Sequence, residues 1–178
     1  EHEICIADDA STDGTKEWVQ EIMEEDKNVK LHINEGPERL GLTILYDLLV
    51  NEYSTHDRLL FFHSDMYLCP HADEELDKYL KPGKVVSLTR IEPPLHPEGP
   101  EKIIEDFGIE PDGFKEKKLL KFVEEFRKGE NGRDITNGIF APWAIYKKNF
   151  QEIGGHDTLF TPQSKEDSDI FNRMHLKG

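Results

Sequence analysis

Glu3-Ile4-Cys5-Ile6-Ala7-Asp8-Asp9-Ala10-Ser11-Thr12-Asp13-Gly14-Thr15 is the stretch whose reading decides the architecture. Its first part, Glu3 to Ala7, is a short apolar run ending in two carboxylates, the pattern of a strand that runs into a polar loop. Its second part, Thr12-Asp13-Gly14-Thr15, opens a helical pattern that puts Trp18, Val19, Ile22 and Met23 on one face. Ser11 and Asp13 read best as residues that cap this helix.

Moving outward, Val29 to Ile33 alternates like a strand and Gly36-Pro37 breaks it. Leu40 to Val50 reads as a helix. Arg58 to His63 reads as a buried strand with Ser64-Asp65 at its carboxyl end. Pro70 starts a further helix through Leu76 and Leu80, and Val85 to Leu88 is another strand. Strands alternating with helices in this order predict an α/β fold: a mostly parallel central sheet flanked by helices, a Rossmann-like three-layer sandwich. In such sheets ligands bind beyond the carboxyl ends of strands, where Asp8-Asp9 and Asp65 both fall.

The region Glu92 to Arg133 breaks the alternation. It holds Pro93, Pro94, Pro97, Pro100 and Pro111 and then a charged helical stretch, Phe114 to Lys128. It reads as a long excursion from the sheet, either a substrate-facing lid or a surface insertion with a packed helix. Asn137-Gly138 reads as a tight turn. Gly138 to Tyr146 returns to strand character, Phe150 to Gly155 is a short helix and turn, and Lys165 to Leu176 is a helix that starts with acids.

Composition bounds the function. The chain has 178 residues, enough for one domain with a core, with 36% hydrophobic and 33% charged residues. The formal net charge of -15 repels phosphate backbones and excludes nucleic acid as a partner. A nucleotide can still bind if a divalent cation screens its phosphates. No apolar run approaches the roughly 20 residues that span a bilayer. The two cysteines, Cys5 and Cys69, form no CxxC pair and read as free, buried thiols of a reducing compartment, with one disulfide between them as the alternative. The expected location is therefore cytoplasmic, or peripheral to a membrane in the full-length protein.

Four segments, taken in order, resemble glycosyltransferase family 2. Glu3 to Thr15 is similar to its nucleotide-binding segment. His63-Ser64-Asp65 sits where the family carries an Asp-x-Asp metal motif. Gly154-Gly155-His156-Asp157 is similar to its Gly-Gly-Phe-Asp turn, and Glu166-Asp167-Ser168-Asp169-Ile170 with Arg173 is similar to its Glu-Asp-x-Asp-Leu helix. The resemblance implies a GT-A-type fold forming a single catalytic domain over residues 1–178, with a nucleotide-binding half at 1–90 and an acceptor-side half at 91–178. It also implies that the family's first strand and its nucleotide-contacting loop precede Glu1. An edge left open there would be covered by a homo-oligomer or by rearrangement.

What the resemblance implies chemically is an inverting transfer from a nucleotide-sugar donor, with uracil the commonest base. The acceptor would be a hydroxyl on a glycan, a lipid-linked sugar or a small molecule. A sugar nucleotide leaves as a nucleoside diphosphate, and a divalent cation, Mn2+ or Mg2+, stabilises the charge that develops. Asp65 is the expected metal contact, with His63 standing where the family often has Asp. Asp8, Asp9, Arg39, Ser64 and Asp65 are the expected nucleotide-side residues. One of Asp8 and Asp9 accepts a hydrogen bond from the base; strand alternation points only one inward, and the sequence does not choose. Asp167 is the candidate base that takes the acceptor's proton, with Glu166 and Asp169 able to raise its pKa by like-charge repulsion. Trp143 and Asp169 are the candidate acceptor-side residues, Trp143 as a ring for a sugar face or as core.

Plainer readings stand beside these. Acids at the start of a helix favour its dipole without any catalytic role. Ser64-Asp65 suits a turn before Pro70, and His156 and His175 are more often packing residues than metal ligands. At the level of the whole chain, the alternative to an enzyme is a non-catalytic domain that binds sugar nucleotides. A nucleotidyltransferase ranks last, because no Gly-rich phosphate loop with a basic residue lies near the N-terminus.

Overall fold

The computed structural model describes residues 2–95, 102–129, 139–162 and 164–178. In chain order the elements are β1 (Ile4–Asp9), α1 (Thr15–Glu25), β2 (Val29–Asn34), α2 (Leu42–Leu48) with a π-helical turn at Leu49–Tyr53, β3 (Arg58–Phe61), α3 (Ala72–Tyr79), β4 (Val86–Ser87), β5 (Arg90–Glu92), β6 (Lys102–Ile104), a 3-10 turn at Pro111–Gly113, α4 (Glu116–Lys128), β7 (Trp143–Tyr146), α5 (Lys147–Glu152), a 3-10 turn at Thr158–Phe160 and α6 (Glu166–Lys177). The strand-helix alternation expected through Leu88 is present. The strands form the pairs β1-β2 and β5-β6 and the three-stranded order β3-β7-β4. The chain divides into two compact units, Glu1–Leu59 with Pro82–Lys84 and Ile145–Gly178, and Leu60–Lys81 with Val85–Ala144.

In the first unit β1 pairs with β2 in parallel, Ile4 opposite Val29 through Asp9 opposite Asn34. Parallel neighbours need a crossover, and α1 supplies it. Gly14 enters α1 at φ +92, and the Asp13 carboxylate accepts from the Thr15 amide at 3.1 Å and hydroxyl at 2.7 Å. The N-cap itself is Gly14, so Asp13 reaches the first helical amide from one position further out, and Ser11, whose amide donates to Asp8, does not cap the helix as expected. Val19 is 2% exposed, but Trp18 is 61% exposed. Neighbouring helical positions lie about 100° apart, and the buried stripe runs through Val19, which leaves Trp18 in solvent rather than on the inner face expected for it. The helix expected over Leu40 to Val50 begins at Leu42, after the non-helical Gly41 at φ +82, and the π-helical turn carries it on to Tyr53. The unit's core gathers Val19, Val29, Leu45, Val50, Phe150 and Ile170. Burying a side chain the size of Phe150 or Ile170 stabilises by about 1.5–3 kcal/mol.

In the second unit β4 runs antiparallel to β7, with Val86 opposite Ala144 and Ser87 opposite Trp143. Phe61 and Trp143 stack at 4.0 Å between ring centroids with planes 9° apart, and both are buried. Helix α3 turns Ala72 and Leu76 inward. The excursion contains a pair that the sequence did not announce: β5 and β6 are parallel, with Arg90 opposite Lys102 and Glu92 opposite Ile104. Each strand is too short for alternation to show, and prolines separate them. Helix α4 buries Leu119 and Val123. Two hydrogen bonds fasten it to the loop after β3, Tyr67 hydroxyl to Glu116 at 2.9 Å and Arg127 Nη1 to the Pro70 carbonyl at 2.8 Å. Of the two readings offered for the excursion, the described part shows a packed helix. Pro97, Pro100, the Asn137-Gly138 turn and the first residue of the Gly138 to Tyr146 segment lie outside the described residues. Among the described residues, no helix is long and apolar enough to cross a membrane.

Candidate functional site

The carboxyl end of β1 sets two neighbouring carboxylates in opposite situations. Asp9 is fully engaged: it accepts from Asn34 Nδ2 at 2.7 Å, the Leu40 amide at 2.9 Å and the Gly41 amide at 3.0 Å. Burial raises the pKa of this carboxyl, but those hydrogen bonds and the nearby Arg39 charge outweigh it and hold the group below the usual aspartate range. Asp8 is 4% exposed. Its Oδ1 accepts from the Ser11 amide at 3.2 Å, while its Oδ2 is buried with no hydrogen-bond partner. An unpaired buried carboxylate oxygen is costly, and such atoms mark places where a ligand supplies the missing donor. Ser11 offers its backbone to Asp8.

Asp9 also fixes the loop that carries Arg39, whose side chain is exposed. Gly41, next to the bonded Leu40, has φ +82 and ψ 167. A Cβ built there would lie 2.4 Å from the Pro162 carbonyl oxygen, so only glycine admits this approach. The Leu42 amide donates to that same carbonyl at 3.0 Å, and the Thr43 and Thr161 hydroxyls meet at 2.7 Å. The Arg39–Gly41 loop and the chain leading into α6 are thus in backbone contact.

At the start of α6, Ser164 and Lys165 have φ +128 and +68. The buried Glu166 accepts from the Ser164 amide at 2.6 Å and closes this turn. Asp167 is half-buried in the first helical turn. The Asp169 carboxylate accepts from Arg173 Nε at 2.8 Å, and Arg173 Nη1 donates to the Ile153 carbonyl at 2.8 Å. Asp169 and Arg173 therefore tie α6 to the end of α5.

The other predicted residues belong to the second unit. Ser64 and Asp65 are exposed in the turn after β3, with the Met66 amide donating to the His63 carbonyl at 3.3 Å. Among the described residues, no group of three or more His, Cys, Asp or Glu is placed to hold a metal. A hard cation that shares phosphate oxygens needs only one or two protein carboxylates, so the Asp65 carboxylate is a donor that fits Mg2+ or Mn2+, whereas the His63 imidazole is a nitrogen donor that suits Mg2+ poorly. Trp143 is 2% exposed under Phe61, so burial supports core over sugar stacking for it. Two cavities in this unit, about 370 and 440 Å³, are lined by α4 with Pro70 and by the Pro93–Leu95 and Asp106–Lys115 loops, and hold none of the predicted site residues.

One constellation was missed in the sequence. His156, read there as a lone histidine, is buried against Asp47 of α2, its Nδ1 2.8 Å from Asp47 Oδ1 and its amide 3.1 and 3.2 Å from the two oxygens. The Gly-Gly pair before it was the available signal, since a Cβ on Gly155 would lie 2.2 Å from Asp47 Oδ2. Both cysteines are free and only partly buried, less than expected. Burial pushes both thiols up, away from reactivity at neutral pH.

The family model described as Glycosyl transferase family 2 matches residues 1–154. Helix α6 lies beyond the matched stretch. Among solved structures, the mannosyltransferase PcManGT from Pyrobaculum calidifontis, in complex with GDP-Man and Mn2+, is similar with a TM-score of 0.61 and 19% identity. The match covers 99% of this chain and 43% of that one, so the chain spans less than half the length of this structural relative. At that identity the likeness shows the fold, a GT-A-type α/β architecture. No curated protein matches the sequence significantly.

Proposed function

The chain belongs to glycosyl transferase family 2, and on that premise we propose that it moves a sugar from a nucleotide-sugar donor to an acceptor hydroxyl with inversion at the anomeric carbon. The observation that carries the donor half is the contrast at the end of β1. Asp9 is saturated by protein donors, whereas Asp8 keeps a buried oxygen without one. A ring imide N–H is the donor that fits a bare carboxylate oxygen, because the carboxylate offers only acceptors. Uracil N3 and guanine N1 both carry such a hydrogen, and neutral adenine and cytosine do not. The donor is a UDP-sugar by family resemblance, and the GDP-Man named for the structural relative makes a GDP-sugar the second one to test.

Asp167 acts as base. As the acceptor oxygen attacks the anomeric carbon, its proton passes to the Asp167 carboxylate, and the bond to the diphosphate breaks with its electrons leaving on the phosphate oxygen. Glu166 serves the same step at one remove, by closing the Ser164–Lys165 turn from which Asp167 projects. Asp65 and His63 would hold a divalent cation together with the diphosphate, and Arg39 and Ser64 lie on the nucleotide side. The cation supplies compensation for the charge that develops on the leaving diphosphate.

The test is nucleoside diphosphate release. The chain is incubated with Mn2+ and UDP- or GDP-sugars, with and without simple glycan acceptors. Release that is lost in Asp167→Asn supports the transfer. A second reading, a non-catalytic sugar-nucleotide binding domain, is favoured by His63 in place of a metal-motif aspartate. Tight nucleotide binding with no release in the wild type would establish it instead.

A further inference from the structure

We infer that Asp47 and His156 form a positioning pair through which helix α2 sets the chain segment that presents Asp167. The inference rests on the reading of Asp167 as base, and its anchor on α2, Asp47, lies outside the four motifs of that reading.

Among the described residues, the segment between α5 and α6 carries one short 3-10 helix, at Thr158–Phe160. It is held at both ends by α2. At its start the Asp47 carboxylate takes the His156 amide with both oxygens and the His156 Nδ1–H with Oδ1. The His156 side chain is 1% exposed, covered by Tyr46 at 5.8 Å and the Phe150 ring edge at 5.4 Å. Gly155 has φ +67 and leaves room for the carboxylate, which a Cβ would strike. At its end the Leu42 amide holds the Pro162 carbonyl and Thr43, 1% exposed, holds the Thr161 hydroxyl. Helix α6 begins shortly afterwards, through the turn that Glu166 closes. Two anchors on one rigid helix define where the segment ends and so where Asp167 starts.

An aspartate that accepts several hydrogen bonds from one buried partner loses a large share of their strength if the carboxylate goes, because the partner's donors are left unpaired in the interior. The imidazole keeps its apolar contacts with Tyr46 and Phe150 after such a change. The damage is therefore expected to be local displacement, read at Asp167, with the nucleotide side at Asp8 unaffected.

The experiment compares Asp47→Leu, which removes the acceptors, with Asp47→Asn, which keeps one. Hydrogen exchange of the unliganded chain is followed at the His156 amide and the Thr158–Phe160 turn. Asp47→Leu is expected to speed exchange there tenfold or more, with β1 and β2 amides within twofold, and Asp47→Asn to stay within threefold. In turnover, Asp47→Leu is expected to lower kcat at least tenfold with donor Kd within twofold, and Asp47→Asn to recover most of the loss. Unchanged exchange, a parallel fall of kcat and donor affinity, or an Asn variant as damaged as the Leu variant would each overturn the pairing role. If Asp47→Leu does not fold, Gly155→Ala displaces the same carboxylate and is read in its place. A wild type with no transfer from any donor would end the glycosyltransferase reading, while exchange would still decide the pair.

Discussion

Gly41→Ala is the perturbation whose cost can be worked out most fully. Gly41 sits at φ +82, ψ 167, a conformation open almost only to glycine, and a side chain forced into it costs about 1–3 kcal/mol. The added Cβ would also meet the Pro162 carbonyl oxygen at 2.4 Å and its Cα at 2.5 Å, both backbone atoms that no rotamer change can move. Relieving that clash parts the two strands of chain and breaks the Leu42 amide bond to Pro162, worth about 1 kcal/mol. It further loosens the bonds from Leu40 and Gly41 to the charged Asp9, so the total comes to about 4 kcal/mol. At about 2–4 °C per kcal/mol for a chain of this size, Tm should fall by about 10 °C in thermal unfolding followed by circular dichroism. Gly83→Ala is the control. Gly83 has φ +76 but nothing within 4 Å of an added Cβ, so it carries the backbone strain without the clash and should lose about 3 °C. A Gly41→Ala variant that melts no lower than Gly83→Ala would refute the claim that this glycine seats the Arg39–Gly41 loop on the chain entering α6.

Glu3 gives a pH-dependent test. It accepts from Lys30 Nζ, the Thr55 amide and hydroxyl and the His56 amide. Burial raises its pKa, but these bonds prevail and bring it from the ordinary 4.5 to about 2. The stabilisation is complete above pH 4.5 and is lost as pH falls from there toward 2; full linkage is about 3.4 kcal/mol, discounted to about 2 kcal/mol because Lys30 is partly exposed. Glu3→Gln should therefore lower stability at pH 7 and flatten the loss between pH 4.5 and 2, measured by denaturant titration; equal pH dependence in both proteins would refute it. Asp8→Asn should weaken UDP or GDP binding about ten- to hundredfold by calorimetry, the worth of one hydrogen bond to a buried charge, and a change under twofold would remove Asp8 from the base-binding role.

The order of the elements was legible because hydrophobic runs and breakers are local signals. Strand β1, its acidic end, the crossover α1 and strand β2 all follow from residues 3–34 alone. What escaped were features made by distant chain segments. The parallel pair β5-β6 is assembled from two short strands on either side of a proline-rich stretch, and no periodicity survives in so few residues. Trp18 was placed inward because four apolar residues share a broad face, yet only a narrow stripe centred on Val19 meets the core. The choice between Asp8 and Asp9 depends on where the amides of Leu40 and Gly41 come to lie, which the sequence around residue 8 does not contain. The same holds for Asp47 and His156: each looks ordinary in its own segment, and the Gly154-Gly155 pair shows that something must come close without showing what.

The most direct measurement is a crystal structure of this chain with Mn2+ and the sugar nucleotide it binds best. The account predicts the base at the end of β1 with its imide nitrogen about 3 Å from the free oxygen of Asp8, and Asp167 facing the anomeric carbon from the side away from the diphosphate. A base bound elsewhere, or an Asp167 carboxylate pointing away from the sugar, would contradict it.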